Sequence, residues 1–270
     1  MHWTRVKTIL ILVFLVIDLV LISSIIMTSY SVPKIDDTMI EDTISILGRN
    51  NIKADKSVIP NTIQRMGVVE LRNAWTDDSK AASVLTGGTA TKTVSFSENQ
   101  FYFTDSNPAA ITISKDGYKQ SFENMGIYAN VDFIEINGSS VTAKQTIGNS
   151  IIFETEVFAE TAGNGGITQA NGYWILFDSE DSVSKKAESQ LTPITSVLIN
   201  FTENPYKNPA GEEITLIETG YSLGTIYRDT QHKLVSVIPA YKITTSTGYY
   251  MYDALSGDFL YANTNNEIMY

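Results

Sequence analysis

The 270-residue chain contains no cysteine. That absence excludes disulfides, thiolate metal sites, a cysteine nucleophile and a lipid-modified N-terminal cysteine, so stability must come from packing. Histidine is nearly as scarce. His2 and His232 are the only two, too few for a histidine-based triad or a multi-histidine metal centre, and His232, in DTQHK, reads as a solvated turn residue. Basic residues are outnumbered, 19 Lys plus Arg against 30 Asp plus Glu, for a net charge of -11. Phosphate binding needs a clustered cationic surface, so nucleic acid is not an expected partner.

The remaining material for chemistry is thin. Asp77-Asp78, Glu154 with Glu156, and Glu212-Glu213 are acid pairs, but residues two apart on a strand share a face without forming a substrate cleft. Ser182-Val183-Ser184-Lys185 matches S-x-x-K without companion motifs, and a helix N-cap explains Ser182 equally well. The glycines of TAGNGG lack phosphate-loop spacing and a following Lys-Ser/Thr, so they read as a flexible turn. No catalytic residue, metal ligand or cofactor site is assigned, and no enzyme is expected.

What the chain does have is 43% apolar residues, enough for one or two cores, and one long apolar run. From Thr8 to Met27 the sequence TILILVFLVIDLVLISSIIM is interrupted by Asp18 and a few hydroxyls. Twenty residues at 1.5 Å rise cover about 30 Å of hydrocarbon, so a transmembrane helix over 8-27 is expected. Arg5 and Lys7 precede it while a lone Lys34 and acids follow, which puts residues 1-7 in the cytoplasm and the rest outside the cell membrane. Trp3 and Tyr30 stand near its ends, where amphipathic rings prefer the headgroup region. A cleaved secretion signal is the competing reading, but the run exceeds the roughly 7 to 15 residues of such an apolar core, and no A-x-A follows.

Asp18 falls in the middle of this span, where an ionised carboxylate costs about 2.5 to 3.5 kcal/mol on insertion scales. On a helix it shares a face with Phe14, Leu15, Leu21, Ile22 and Ile25. Phe14, Asp18, Leu21, Ile22 and Ile25 are therefore the candidate contact with a partner helix, Asp18 meeting a polar group there. The bland reading is a polar residue tolerated in a segment apolar enough to insert anyway.

Beyond Pro33, Asp36 to Arg49 has helical spacing behind an acidic first turn, and Ile52 to Pro60 reads as a strand. Strands are expected at Gly67 to Arg72, Thr93 to Phe96, Phe101 to Thr104, Ala110 to Ser114 and Tyr118 to Phe122, with a helix over Asp77 to Leu85. A hairpin is expected around Asn137-Gly138, then strands in SIIFETEVFAE and GYWILFD. Asp181 to Phe201 reads as one or two helices, the second opened by Pro193. Strands follow in ITLIETGYSLGTIY, LVSVIPAYKITT and YYMYDALSGDFLY. Nine of the fourteen tyrosines lie from Tyr206 onward, favouring β there. The expected fold is α+β: one N-terminal transmembrane helix, then an extracytoplasmic domain of antiparallel sheets with a few packed helices. Two similar subdomains are expected, an α+β one over 34-165 and a helix-plus-antiparallel-sheet one over 166-270.

Met1-His2-Trp3-Thr4-Arg5-Val6-Lys7-Thr8-Ile9, then Phe14-Leu15 and Asp18-Leu19, resembles the opening M-x-W-x-x-x-K-T-I, F-L-x-x-D/N of the YycI regulatory proteins. Glu218-Thr219-Gly220-Tyr221, Pro239-Ala240-Tyr241-Lys242 and Tyr252-Asp253-Ala254-Leu255-Ser256-Gly257 are similar to that family's G-Y, P-x-W-R and Y-x-N-A-x-x-G elements. Tyr241-Lys242 stands for the usual Trp-Arg and Asp253 for the usual Asn, a divergent pattern. The match covers both ends and not the middle. The resemblance implies a Gram-positive bacterium, a domain related to part of YycH, and a role with YycH in adjusting the sensor histidine kinase WalK, whose two-component system governs cell-wall metabolism. It also implies kinase contact through transmembrane helices. A homodimer is a further expected assembly. The alternative is a membrane-anchored extracellular module whose C-terminal tyrosines bind cell-wall carbohydrate or peptide, for which a deep tyrosine-lined pocket would be the mark.

Overall fold

The computed structural model describes residues 3–30, 33–72, 78–97, 100–127, 129–175, 183–208, 211–223, 234–264 and 267–269. Helix α1 (Trp3–Tyr30) is 28 residues long. Helix α2 (Asp37–Arg49) starts where sequence expects it, because the Asp36 carboxylate accepts the Thr38 N–H at 2.9 Å and its hydroxyl at 2.7 Å. Ile40, Thr43 and Leu47 then bury one face. The chain continues through β1 (Ile52–Ala54), a 3-10 turn at Lys56–Val58, β2 (Arg65–Met66), β3 (Val69–Arg72), α3 (Asp78–Thr86), β4 (Lys92–Ser97) and β5 (Gln100–Asp105). Next come α4 (Lys115–Asn124), β6 (Ala129–Asn137), β7 (Ser140–Ile147), β8 (Ser150–Thr161) and β9 (Ile167–Tyr173). Short β10 (Val183–Lys185) and β11 (Ser189–Gln190) precede α5 (Ile194–Thr202). After α5 lie β12 (Glu212–Ser222), β13 (Leu234–Thr245), β14 (Gly248–Asp253), β15 (Phe259–Thr264) and β16 (Glu267–Met269).

The result is a mixed, sheet-dominated α+β fold. Among the described residues one sheet runs β16-β15-β14-β13-β12-β8-β9-β5-β4, with β7 and then β6 added beside β8. β12 to β16 form an antiparallel meander, and β1 lies parallel to β12. The other antiparallel group meets this meander where β8 and β12 run parallel at the pair Ile152 and Tyr221. Each group has its own core. Residues between Ile35 and Leu71 pack with α5 and the meander around Phe201, Tyr250 and Tyr252, while α4 packs Tyr118 and Phe122 against Phe101, Ile134, Val157 and Trp174. The first core therefore joins segments from both sides of the second in sequence. The glycine-rich turn near the expected subdomain change joins β8 to β9.

Four expectations are corrected. Tyr118 to Phe122 is helical: the Ser114 hydroxyl accepts the Gly117 N–H at 3.1 Å, and Tyr118 and Phe122, four apart, bury the same face. Ala110 to Ser114 is the irregular segment leading into that cap, not a strand. Within Asp181 to Phe201, Val183–Lys185 pairs antiparallel with Val69–Leu71 instead of forming a helix, a long-range contact that local spacing does not reveal. The second expected helix is present behind Pro193. The strand at Ile52 stops at Ala54, since Asp55 caps the 3-10 turn through Ser57. The hairpin around Asn137-Gly138 forms, with Gly138 at φ +64. His2, Asp77, Leu176 to Ser182 and His232 lie outside the described residues.

Among the described residues no helix is long and apolar enough to cross a membrane. In α1 the described side chains are Lys7 and those from 10 to 23, about 21 Å of helix against a hydrocarbon core of about 30 Å.

Candidate functional site

Helix α1 carries apolar side chains on every face, the pattern of a helix surrounded by other apolar matter. Leu10 to Ile17 and Leu19 to Ile22 are each between 46% and 65% exposed, so no element of the domain covers them. Phe14, Asp18, Leu21 and Ile22 fall within an arc of about 100° at 100° per residue and are all exposed. The side chains of Ile25 and Arg5 lie outside the described residues, although both sit on the helical backbone. Lys7 is exposed. Ser23 is satisfied within the helix, its hydroxyl donating to the Val20 carbonyl at 3.1 Å. Among the described residues Asp18 has no hydrogen-bond or ion-pair partner. A carboxylate in that position can gain only from a donor that another chain, or water, supplies.

The three C-terminal stretches that carry the family resemblance lie side by side. Glu218 is opposite Lys242, Gly220 opposite Ala240 and Tyr221 opposite Pro239 across β12 and β13, while Tyr241 is opposite Tyr252 and Ala240 opposite Asp253 across β13 and β14. Their residues do structural work. A Cβ at Gly220 would fall 2.7 Å from the Ile151 carbonyl oxygen and 2.9 Å from the Phe153 ring, so glycine is what lets β8 approach β12. Asp253 accepts the N–H groups of Leu255 at 2.7 Å and Ser256 at 3.2 Å, which shapes a turn that Gly257 completes at φ +83. Asparagine would make the same bonds. Lys242 sits 4.9 Å from the Tyr249 ring centre and 3.7 Å from Glu218. Tyr241 donates to the Thr192 carbonyl at 3.0 Å, and burial pushes its hydroxyl up to about 12.

Two acids named in the sequence pairs occupy buried networks instead of pairing with their neighbours. Glu154 turns toward the β8–β12 junction, where its carboxylate accepts the Ser222 hydroxyl, the Leu223 N–H at 3.1 Å and the Tyr261 hydroxyl at 2.7 Å. Burial pushes this carboxyl up in spite of those donors. Tyr173 is pushed up to about 12 by burial and by the Glu154 charge. Glu156, on the other side of a register shift, is exposed. Glu212 accepts the Asn208 N–H at 2.9 Å and the Thr247 and Tyr250 hydroxyls at 2.8 Å. Burial raises its carboxyl, but these donors and Thr245 outweigh it and hold the group below the ordinary range. Glu213 is exposed and makes no pair with it.

Among the described residues, no three acidic or histidine side chains gather as a metal ion requires. One cavity of about 520 Å³ lies between α4 and the β4–β5 hairpin, and another of about 410 Å³ lies beside Asn51 and Glu212. Neither is lined by tyrosine, unlike the cleft the binding-module alternative calls for. Sequence reasoning missed Glu154 because its partners lie far away in the chain. Compared with protein-family models and with curated proteins, the chain finds no match in either.

Proposed function

We propose that this chain is a membrane-anchored accessory regulator of a WalK-like sensor histidine kinase, acting by protein contact beside a YycH-like partner in the control of cell-wall metabolism. The observation that carries the reading is the uncovered apolar surface of α1. Its 28 residues extend about 42 Å at 1.5 Å per residue, and the Thr8 to Met27 stretch within them matches about 30 Å of hydrocarbon. In water so much apolar surface is a liability; in a bilayer it is a solvation shell. Arg5 and Lys7 orient the N-terminus toward the cytoplasm, which leaves the sheet domain outside the cell. The resemblance of the opening stretch and of the β12, β13 and β14 elements to YycI proteins supplies the partner class.

A partner helix can shift a kinase only by binding its active and inactive states with different free energy. Packing around Phe14, Asp18 and Ile22 provides that difference in this reading, with no chemical step by the domain. The test is co-purification from native membranes with three chains: intact, Asp18→Ala, and one whose α1 is replaced by an unrelated membrane helix. A histidine kinase recovered with the intact chain and lost on replacement supports the proposal, and the Asp18 variant reports on the carboxylate. No kinase under conditions that preserve a known membrane complex refutes it.

A further inference from the structure

The larger cavity holds two opposite charges that do not neutralise each other. Lys92 and Asp105 are direct cross-strand neighbours on β4 and β5, so their Cβ atoms stand about 5 Å apart on one face, and both line the cavity. Among the described residues they form no ion pair. Asp105 is 8% exposed, and its Oδ1 accepts the Asn107 N–H at 3.0 Å. Its other oxygen has no donor among the described residues. A buried carboxylate oxygen without a donor is costly, and an open cavity beside it is where a donor can enter. The floor is apolar, from Phe103, Met125 and Ile167, each no more than 4% exposed. Gln120 and Asn124 of α4 add carboxamides at the wall.

The opposite wall is built, not merely left open. Segment 107–112 has no regular structure, yet the Ile111 N–H donates to the Asn164 carbonyl at 3.1 Å and the Asn164 side chain reaches the Pro108 carbonyl at 3.4 Å. The glycine-rich turn is packed tightly beneath it: a Cβ at Gly166 would lie 2.4 Å from the Ala109 carbonyl oxygen, and one at Gly165 would lie 2.5 Å from that of Ile111. TAGNGG is therefore a buttress that holds the cavity wall, which gives a pre-formed site of the size small ligands use.

We propose that this cavity binds a small zwitterion, the free-terminus form of a short peptide or an amino acid. Its ammonium group meets Asp105, its carboxylate meets Lys92, and its side chain rests on the Phe103 floor. The proposal stands apart from the role given to α1. It is tested on the full chain in lipid nanodiscs by saturation-transfer NMR with tri-alanine, free alanine, N-acetyl-tri-alanine, tri-alanine amide and the doubly blocked peptide. Tri-alanine or alanine binds at millimolar concentration or tighter, and the stronger of the two identifies the source. Blocking either terminus weakens binding about tenfold or more, as loss of a charge-assisted hydrogen bond does. Asp105→Asn and Lys92→Gln reproduce the two losses. Because the blocked peptides are read on the unaltered protein, a variant that fails to fold leaves the test intact. Absence of transfer from both ligands, equal binding of the doubly blocked peptide, or a loss confined to one terminus overturns the proposal.

Discussion

Replacing Glu154 tests how the two cores are joined. β8 and β12 share one parallel pair, and the Glu154 carboxylate adds three hydrogen bonds across that junction, to Ser222, Leu223 and Tyr261. Ser222 is fully buried and Tyr261 is 2% exposed, so neither hydroxyl can turn to water when the acceptor is removed. Glu154→Ala removes three hydrogen bonds at about 1 kcal/mol each and a methylene worth about 0.8 kcal/mol, while the lost desolvation of the charge returns part of this. The expected net cost is about 3 kcal/mol, read as a melting temperature lowered by about 6 to 12 °C for a domain of this size. Glu154→Gln keeps the volume and one acceptor, so it loses about 1 kcal/mol or less. The sign with pH follows from burial. Because the folded carboxyl is raised above its ordinary 4.5, its contribution is full below 4.5 and falls as pH rises through the raised value. The non-titrating Gln variant therefore gains on the native chain as pH increases. Thermal unfolding of the full chain in detergent, followed by near-ultraviolet circular dichroism across pH, reads both effects. Equal losses for Ala and Gln, or a native-to-Gln gap that does not move with pH, would refute the reasoning.

Ser114→Ala removes the side-chain acceptor for the Gly117 N–H and should cost about 1 kcal/mol, visible as a lower urea midpoint with unchanged slope. Gly166→Ala forces a Cβ to within 2.4 Å of the Ala109 oxygen and should cost about 1 to 3 kcal/mol by overpacking; Gly163→Ala, with nothing within 4 Å, should cost far less in the same melt. Glu212→Gln has the opposite pH sign to Glu154→Gln. The Glu212 carboxyl is held below its ordinary 4.5, so its contribution is present above 4.5 and is lost as pH falls through the folded value. The Gln variant's deficit, about 1 to 2 kcal/mol near neutrality, should therefore shrink in acid melts.

What was legible in the sequence depended on whether the deciding contact was local. Helix α2 announced itself because its acidic start and the spacing of Ile40, Thr43 and Leu47 all lie within one short stretch. The part of the meander from β13 to β15 was legible for the same reason, since short turns at 246-247 and 254-258 follow β13 and β14 directly. Helix α4 is hard to read locally because Tyr118 and Phe122 are the only large apolar residues within it and Gly117 weakens the helical signal. The Ser114 cap and burial of Tyr118 and Phe122 on one core decide the matter. β10 was misread because its partner, β3, lies more than a hundred residues earlier.

The same rule separates the sites. The exposed apolar surface of α1 was readable at sight, as Leu10 to Ile22 carry it in consecutive residues. Lys92 and Asp105 became neighbours only through the register of the β4–β5 hairpin, which fixes which residues face one another but is not stated by either strand alone. Glu154 is the extreme case. On β8 it looks like one acid among several, and its ordinary fate would be a solvated edge. Its partners Ser222 and Leu223 lie 68 and 69 residues away, and Tyr261 lies 107 away, so the meaning of that carboxylate exists only once β12 has docked on β8. A residue whose role is created by the last long-range contact is also the one whose removal reports most directly on that contact. For this reason the Glu154 variants should separate loss of the junction from loss of either core: if the junction melts first, the cores around Phe201 and Phe122 will retain their amide protection while the start of β8 near Ile152 and the end of β12 near Tyr221 exchange early.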